Sequence, residues 1–191
     1  PSAEGDYGLW RRGFSLVRRD LSSLLPLTGA IPFNTSKSQS VRRAGKQGVR
    51  VVDAPVASFH GLLYDVLMAQ HGVKPVHSLG ELEQLHSKFP QGVLVRIAVL
   101  DQRVLAGTLV FNYGHVWHTQ YLASSDEGRR VGALDLVIAE LIEEAAAAGA
   151  SHISFGASTV NQGLEVNHGL LWQKESYGAR TMVHDFMEGA L

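Results

Sequence analysis

The chemically capable residues of this 191-residue chain are nine histidines, scattered tyrosines and lysines, and the segment Gly128-Arg129-Arg130-Val131-Gly132-Ala133. There is no cysteine, so disulfides and thiolate zinc sites are excluded. His115-x-x-His118, with His60, His71, His77 and His86, matches no metal-ligand spacing, and no metal is expected. In the strand-like run His115–Leu122, period-two alternation places His118 and Gln120 on one face and Trp117, Thr119 and Tyr121 on the other. An unperturbed histidine titrates near pH ~6.5, so His118 can take a proton at neutral pH. A hydrogen-bonded structural histidine is the competing reading. Tyr121 is either a proton donor or a packed core residue.

Anion chemistry has two candidate sites. Arg129, Arg130, Gly132 and Ala133 stand at the start of the strongest helical pattern, where free backbone N–H groups and the helix dipole favour negative charge. Asp126 and Glu127 lie just upstream, and Ser124-x-x-Glu127 reads as a capping box, so an ordinary capped helix is the alternative. Arg42, Arg43 and Lys46 sit on a short basic helical stretch and can grip phosphates. They are too few, with no interleaved aromatics, for a general nucleic-acid patch. The charge distribution fits a local anion site: residues 1–50 hold nine Lys/Arg against three acids, in a chain whose net charge is only −1.

The elements that must position these groups follow from periodicity and turn chemistry. Residues 9–25 alternate roughly as extended segments before Pro26, Gly29 and Pro32 break the chain. A basic helix is expected over 36–47, a strand over 49–53, and a helix over 56–71 from the spacing of Phe59, Leu62, Leu63, Val66 and Leu67. Ser78-Leu-Gly-Glu81 is a capping box that opens a helix to about Phe89. Strands over 93–100, 104–111 and 115–122, separated by tight turns, form an antiparallel meander. Leu134, Val137, Ile138, Leu141, Ile142 and Ala145 give a continuous apolar helical stripe that ends near Gly149. A strand over 152–155, a helix over 163–176 and a strand over 179–186 complete the chain. In that last helix Asn167 and Lys174, two turns apart, would share one stripe. Ser158 and Thr159 read as cap or loop residues.

From Val49 the order β-α-α-β-β-β-α-β-α-β resembles that of the GNAT acyl-CoA N-acyltransferase fold, an α/β (α+β) architecture with a mixed central sheet flanked by helices. The stretches RRAGKQGVRV (42–51), KPVHSLGELEQLHSKFP (74–90), HTQYLASSDEGRRVGALDLVIAELIEEAAAAG (118–149) and FGAST…G…N.GL..QKESYGAR (155–180) are similar to the Fem-like branch of that fold, associated with bacterial envelope and polysaccharide biosynthesis. The resemblance covers roughly 37–187. It implies that residues 1–35 are a strand segment of a preceding domain, with the acyltransferase domain at 36–191. It also implies acyl-CoA, most plainly acetyl-CoA, as cosubstrate, its diphosphate at Arg129, Arg130, Gly132 and Ala133. Of the family pattern Gln/Arg-x-x-Gly-x-Gly/Ala, Arg129 and Gly132 fit, while the last position falls on Leu134.

The implied reaction moves an acyl group from the thioester to an amine. His118 would deprotonate the amine, Tyr121 would protonate the thiolate, and Lys174 would meet a phosphate or developing oxyanion, with Arg42, Arg43, Gln120 and Asn167 at the acceptor. The acceptor class would be an amino sugar or nucleotide-sugar. Two alternatives stay open: a Fem-type, aminoacyl-tRNA-dependent peptidyltransferase, and a non-catalytic binding domain that keeps the fold. No apolar run reaches the ~18–20 residues of a membrane span, and the opening PSAEGDYG is unlike a signal peptide, so a cytoplasmic protein is expected.

Overall fold

The computed structural model describes residues 3–29 and 33–189; Pro32, expected as a chain breaker, lies outside them. Seven strands form one mixed sheet in the order β2-β3-β4-β5-β6-β1-β9. The strands are β1 (Ser15–Pro26), β2 (Arg50–Asp53), β3 (Val93–Leu100), β4 (Arg103–Asn112), β5 (Val116–Ser124), β6 (His152–Ala157) and β9 (Arg180–Glu188). The short β7 (Thr159–Val160) and β8 (Glu165–Val166) pair with each other only. All ladders are antiparallel except β5 with β6.

Helices cover both faces. On one lie α3 (Val56–His71) and α4 (Leu79–Lys88), whose Phe59, Leu63 and Leu82 bury against Val93, Val95, Ile97 and Leu109. On the other, α6 (Ala133–Ala147) packs Val137, Ile138, Leu141 and Ile142 over Val110, Trp117 and Ile153, and α2 (Thr35–Lys46) packs beside it through Ala44. The Ser78–Glu81 capping box that opens α4 is fully formed. Losing it costs about 1 kcal/mol, so Ser78→Ala lowers the melting temperature by about 3 °C; an unchanged calorimetric midpoint would contradict this.

Three expectations are corrected. Residues 9–11 end a helix, α1 (Ala3–Arg11), so the N-terminal extended segment is the single strand β1, which lies inside the sheet between β6 and β9. The long helix after β5 is broken at Gly132 into α5 (Asp126–Val131) and α6. Ser125, not Ser124, caps α5, its hydroxyl accepting from the Gly128 N–H, while Glu127 pairs with Arg103 instead of closing a box. The helix expected over 163–176 begins only at His168, as α7 (His168–Ser176). The residues before it make the β7/β8 ladder around a 3-10 turn, with Asn161 and Gln162 at positive φ.

Two irregularities in β5 position the site. Leu109 pairs with Tyr121 and Val110 with Thr119, so Gln120 is an extra residue, a bulge. The bulge resets the alternation: Phe111 opposite His118 and Leu109 opposite Tyr121 both belong to the α3 side, which turns Tyr121 to the same face as His118. The expected facing of Tyr121 is therefore reversed. Second, β5 and β6 pair only over Val116–His118 and His152–Ser154. Beyond that point the two parallel neighbours separate and leave an opening in the middle of the sheet.

Candidate functional site

A cleft of about 750 Å3 lies at the C-terminal end of β5. Its walls come from the end of α3 (Val66, Gln70), from β5 (Leu122–Ser124), from α5–α6 (Gly128, Arg129, Gly132, Asp135), from α2 (Lys37) and from α7 (Leu170, Trp172, Gln173). A corner this tight between α5 and α6 needs Gly132. Its φ is +84°, and a Cβ there would overlap the Ser40 hydroxyl and sit 2.7 Å from the Ser40 carbonyl oxygen.

The polar groups of the cleft are already partnered. Arg129 donates to the Ser124 carbonyl at 2.7 Å and pairs with Asp126, and the Gln70 amide oxygen, turned to face the guanidinium, accepts at 2.8 and 3.1 Å. Deeper in, the Lys37 ammonium lies 2.7 Å from Asp135 and 4.6 Å above the Tyr177 ring. The Tyr177 hydroxyl donates to the same carboxylate at 2.5 Å. Burial, then the Asp135 charge, raises the Tyr177 phenol above the usual tyrosine range, so it stays protonated.

Of the four residues expected at the diphosphate, Arg129 and Gly132 line the cleft. Ala133 is fully buried against α2 and the sheet, and Arg130 is exposed outside the lining. Arg42 and Arg43 lie on the outer surface of α2, in a shallow basin with Gln39, Lys46 and Gln47. Arg43 donates to Ser40, which abuts Gly132, so this basic surface reaches back to the α5–α6 corner.

His118 and Gln120 occupy a separate depression of about 350 Å3 on the α3 side of the sheet, with Phe111, Tyr113, Val116 and Ser154. The His118 Nδ1 lies 3.0 Å from the Ser154 hydroxyl. Burial chiefly, opposed by a Gln120 hydrogen bond and reinforced by the positive Lys174, lowers the His118 pKa, so the imidazole is neutral at physiological pH. Tyr121 is drawn toward the loop between α3 and α4, its hydroxyl 2.6 Å from His77 Nδ1.

Lys174 is turned away from solvent. It is 3% exposed, and its three N–H groups donate to the Gly156 carbonyl (3.0 Å), the Ala157 carbonyl (2.6 Å) and the Ser158 hydroxyl (2.9 Å). Burial lowers its pKa to about 8. Gly156 joins it to His118: its carbonyl meets the lysine, and a Cβ on it would sit 3.2 Å from the imidazole. Asn167 does not share the Lys174 stripe; it caps α7, accepting from the Leu170 N–H at 3.0 Å. Among the described residues no group of three His, Asp or Glu could hold a metal ion, and no helix is long and apolar enough to cross a membrane.

Lys37, Asp135, Tyr177, Gln70 and Trp172 were given no role from sequence, Tyr177 entering only within the QKESYGAR stretch. The first three are brought together from three distant segments, with no local motif. The one available signal was that residues 21–52 carry five Lys/Arg and no acid.

The sheet has known counterparts. FemX is similar in structure, with a TM-score of 0.77 at 14% identity over 97% of this chain and 69% of FemX. So is L-PGS from Bacillus licheniformis, with a TM-score of 0.67 at 12% identity over 96% of this chain and 64% of that one. The chain thus spans about two thirds of their lengths, and at these identities the likeness is one of fold. No curated protein matches the sequence. Residues 35–162, from the start of α2 to the turn after β7, match the family model for the acetyltransferase (GNAT) domain. Spanning most of the chain, that match makes it a member of the GNAT acetyltransferase family.

Proposed function

We propose that the chain transfers an acyl group from a thioester donor, acetyl-CoA in the simplest case, to an amine. The observation that carries this reading is the cleft at the C-terminal end of β5, the strand that parts from β6, with Arg129 and Gly132 in its lining. A donor lying there would reach the bulge at Gln120 with its acyl carbon. The acceptor amine would approach from the depression on the α3 side, where neutral His118 can take its proton as the C–N bond forms. The tetrahedral oxyanion would be met by N–H groups of the splayed β5, and the departing thiolate would be protonated by Tyr121 or water. Lys174 has all three N–H groups engaged, so its role in this reaction is to hold the β6–β7 corner against the splay; meeting an oxyanion would require it to release one bond.

Diphosphate binding at Arg129 competes with Asp126, whose side chain is 81% exposed. A surface pair of this kind contributes about 0–1 kcal/mol, so exchange for a phosphate is cheap. For the acceptor we propose an amino sugar or nucleotide-linked sugar used in bacterial envelope or polysaccharide synthesis, its phosphates gripped by Arg42 and Arg43. A second reading, an aminoacyl-tRNA donor, is favoured by the same acid-free basic surface on α2. Titration calorimetry decides between them. Saturable acetyl-CoA binding below about 1 mM supports the first. Salt-sensitive binding of aminoacyl-tRNA with no response to acetyl-CoA supports the second. Silence from both ligands would leave a binding domain without turnover.

A further inference from the structure

The strand β9 is an outer edge of the sheet, and it lacks the devices that normally keep such an edge from pairing. It runs for nine residues with neither Lys nor Pro, whereas the opposite edge, β2, stops after four. The one irregularity in its ladder, at Val17, lies on β1, so β9 itself is regular. Asp185, whose charge would guard the edge, is held by Arg19 at 2.6 Å, and the Arg18 guanidinium lies over the Phe186 ring. Both faces of the strand are open: Val183 is 42% exposed on one and Phe186 46% on the other. Leu16 and Val17 on the adjoining β1 are exposed too, as are Tyr7 and Trp10 on α1, whose Asp6 lines the same depression as Val183 and Phe186. Apolar exposure gathered along a sheet edge marks an interaction surface.

The sequence of β9 is complementary to itself. When two copies of a strand pair antiparallel about a two-fold axis perpendicular to the sheet, only residues that point to the same face stand opposite each other. Centred on His184, that pairing uses the whole strand: Arg180 stands opposite Glu188, Thr181 opposite Met187, Met182 opposite Phe186 and Val183 opposite Asp185. Each end of the ladder then gains an ion pair, and opposite-charge and apolar cross-strand pairs are what stabilise a sheet. Among the described residues neither Arg180 nor Glu188 has an ion-pair partner within the chain. The neighbouring registers are poorer. Centring on Asp185 sets two carboxylates face to face, and centring on Val183 puts Arg180 opposite Phe186 and leaves Met187 and Glu188 unpaired. We propose that β9 pairs antiparallel with β9 of a second copy of this chain about a two-fold axis at His184, joining two seven-stranded sheets into one. The dimer is independent of the acyl-transfer reading and lies on a different part of the molecule from the cleft, whose lining contains no residue of β9.

The test is sedimentation velocity on the intact chain across a concentration series, with hydrogen exchange of the β9 amides as a second readout. The wild-type chain should dimerise with a dissociation constant below about 100 μM, and the β9 amides should exchange more slowly as the dimer fills. Arg180→Glu and Glu188→Arg each turn two attractions into two repulsions, and each should weaken the dimer about 10-fold. The double variant Arg180→Glu/Glu188→Arg restores opposite charges at both ends and should return to within about 3-fold of wild type. On the other face, Val183→Glu sets a carboxylate opposite Asp185 of the second copy and should also weaken the dimer about 10-fold. All three positions are exposed, so each variant should keep its fold, checked by its circular dichroism spectrum. A chain that stays monomeric to about 100 μM overturns the proposal and leaves the edge to a different polypeptide segment. A dimer indifferent to these variants, or one that the double variant fails to restore, overturns it as well, by placing the interface elsewhere or in another register.

Discussion

Replacing Gly132 with alanine lowers the melting temperature by about 6–12 °C. Two costs combine at this corner. A φ of +84° is strained for any residue with a Cβ, at about 1–2 kcal/mol. The added methyl also runs into the Ser40 carbonyl and hydroxyl, which are fixed within α2, and overpacking of this kind costs about 1–3 kcal/mol. A total near 3 kcal/mol, at about 2–4 °C per kcal/mol for a chain of this size, gives the range. Gly149 is the internal control. It has a similar φ of +81°, but a Cβ there would meet nothing within 4 Å. Gly149→Ala should therefore shift the midpoint by only about 2–8 °C. Equal shifts for the two variants would show that the close approach of α2 to the α5–α6 corner is not what makes glycine necessary.

The second large effect is at Lys174. Lys174→Met should destabilise the chain by about 2–3 kcal/mol near neutral pH, because two carbonyls and a hydroxyl in a buried corner lose a charged donor. Relief from burying the ammonium offsets part of a larger loss. The pH dependence separates these contributions. The folded amine titrates near 8, below the 10.5 of an unhindered lysine. Between those values the unfolded chain holds the extra proton, so the folded state gains stability as pH rises from about 8 to 10.5. That gain, up to about 3 kcal/mol, is absent from the methionine variant. The stability gap between wild type and variant should therefore widen with pH over that window, read from chemical denaturation at pH 7.5, 9 and 10.5. Parallel curves would mean that Lys174 is not held as a buried cation.

Much of this architecture can be read from local pattern. The helix over 56–71 and its left-handed stop at Gly72 follow directly from 3–4 spacing and one glycine, and the meander from tight turns at Asp101–Gln102 and Asn112–Gly114. What pattern missed was non-local. The Gln120 bulge depends on how β5 registers against β4, and it alone decides that Tyr121 faces the His118 side. The break at Gly132 was hidden because apolar spacing runs on through α6, while the conflict is with Ser40 in another helix. Lys37, Asp135 and Tyr177 meet only once α2, α6 and α7 are packed. Lys174 illustrates the same limit: spacing puts it on one stripe with Asn167, yet Asn167 caps helix α7 and the helix turns Lys174 into the interior.

The placing of β1 between β6 and β9 also bears on how the chain is assembled. Ser15 meets Glu188 across 173 residues, and Leu25 meets Ile153 in the adjoining ladder. On a ribosome the half of the molecule from β2 to α6 can condense as it emerges, since its contacts are mostly between neighbours in the chain. The other half cannot, because its inner strand β1 precedes the other strands in the chain and its outer strand β9 follows them. That long-range closure is intrinsically slow. Until β6 and then β9 are made, Leu21, Leu24 and Leu25 wait on a strand with an open edge, the state in which a nascent chain of this design is most exposed to misassociation.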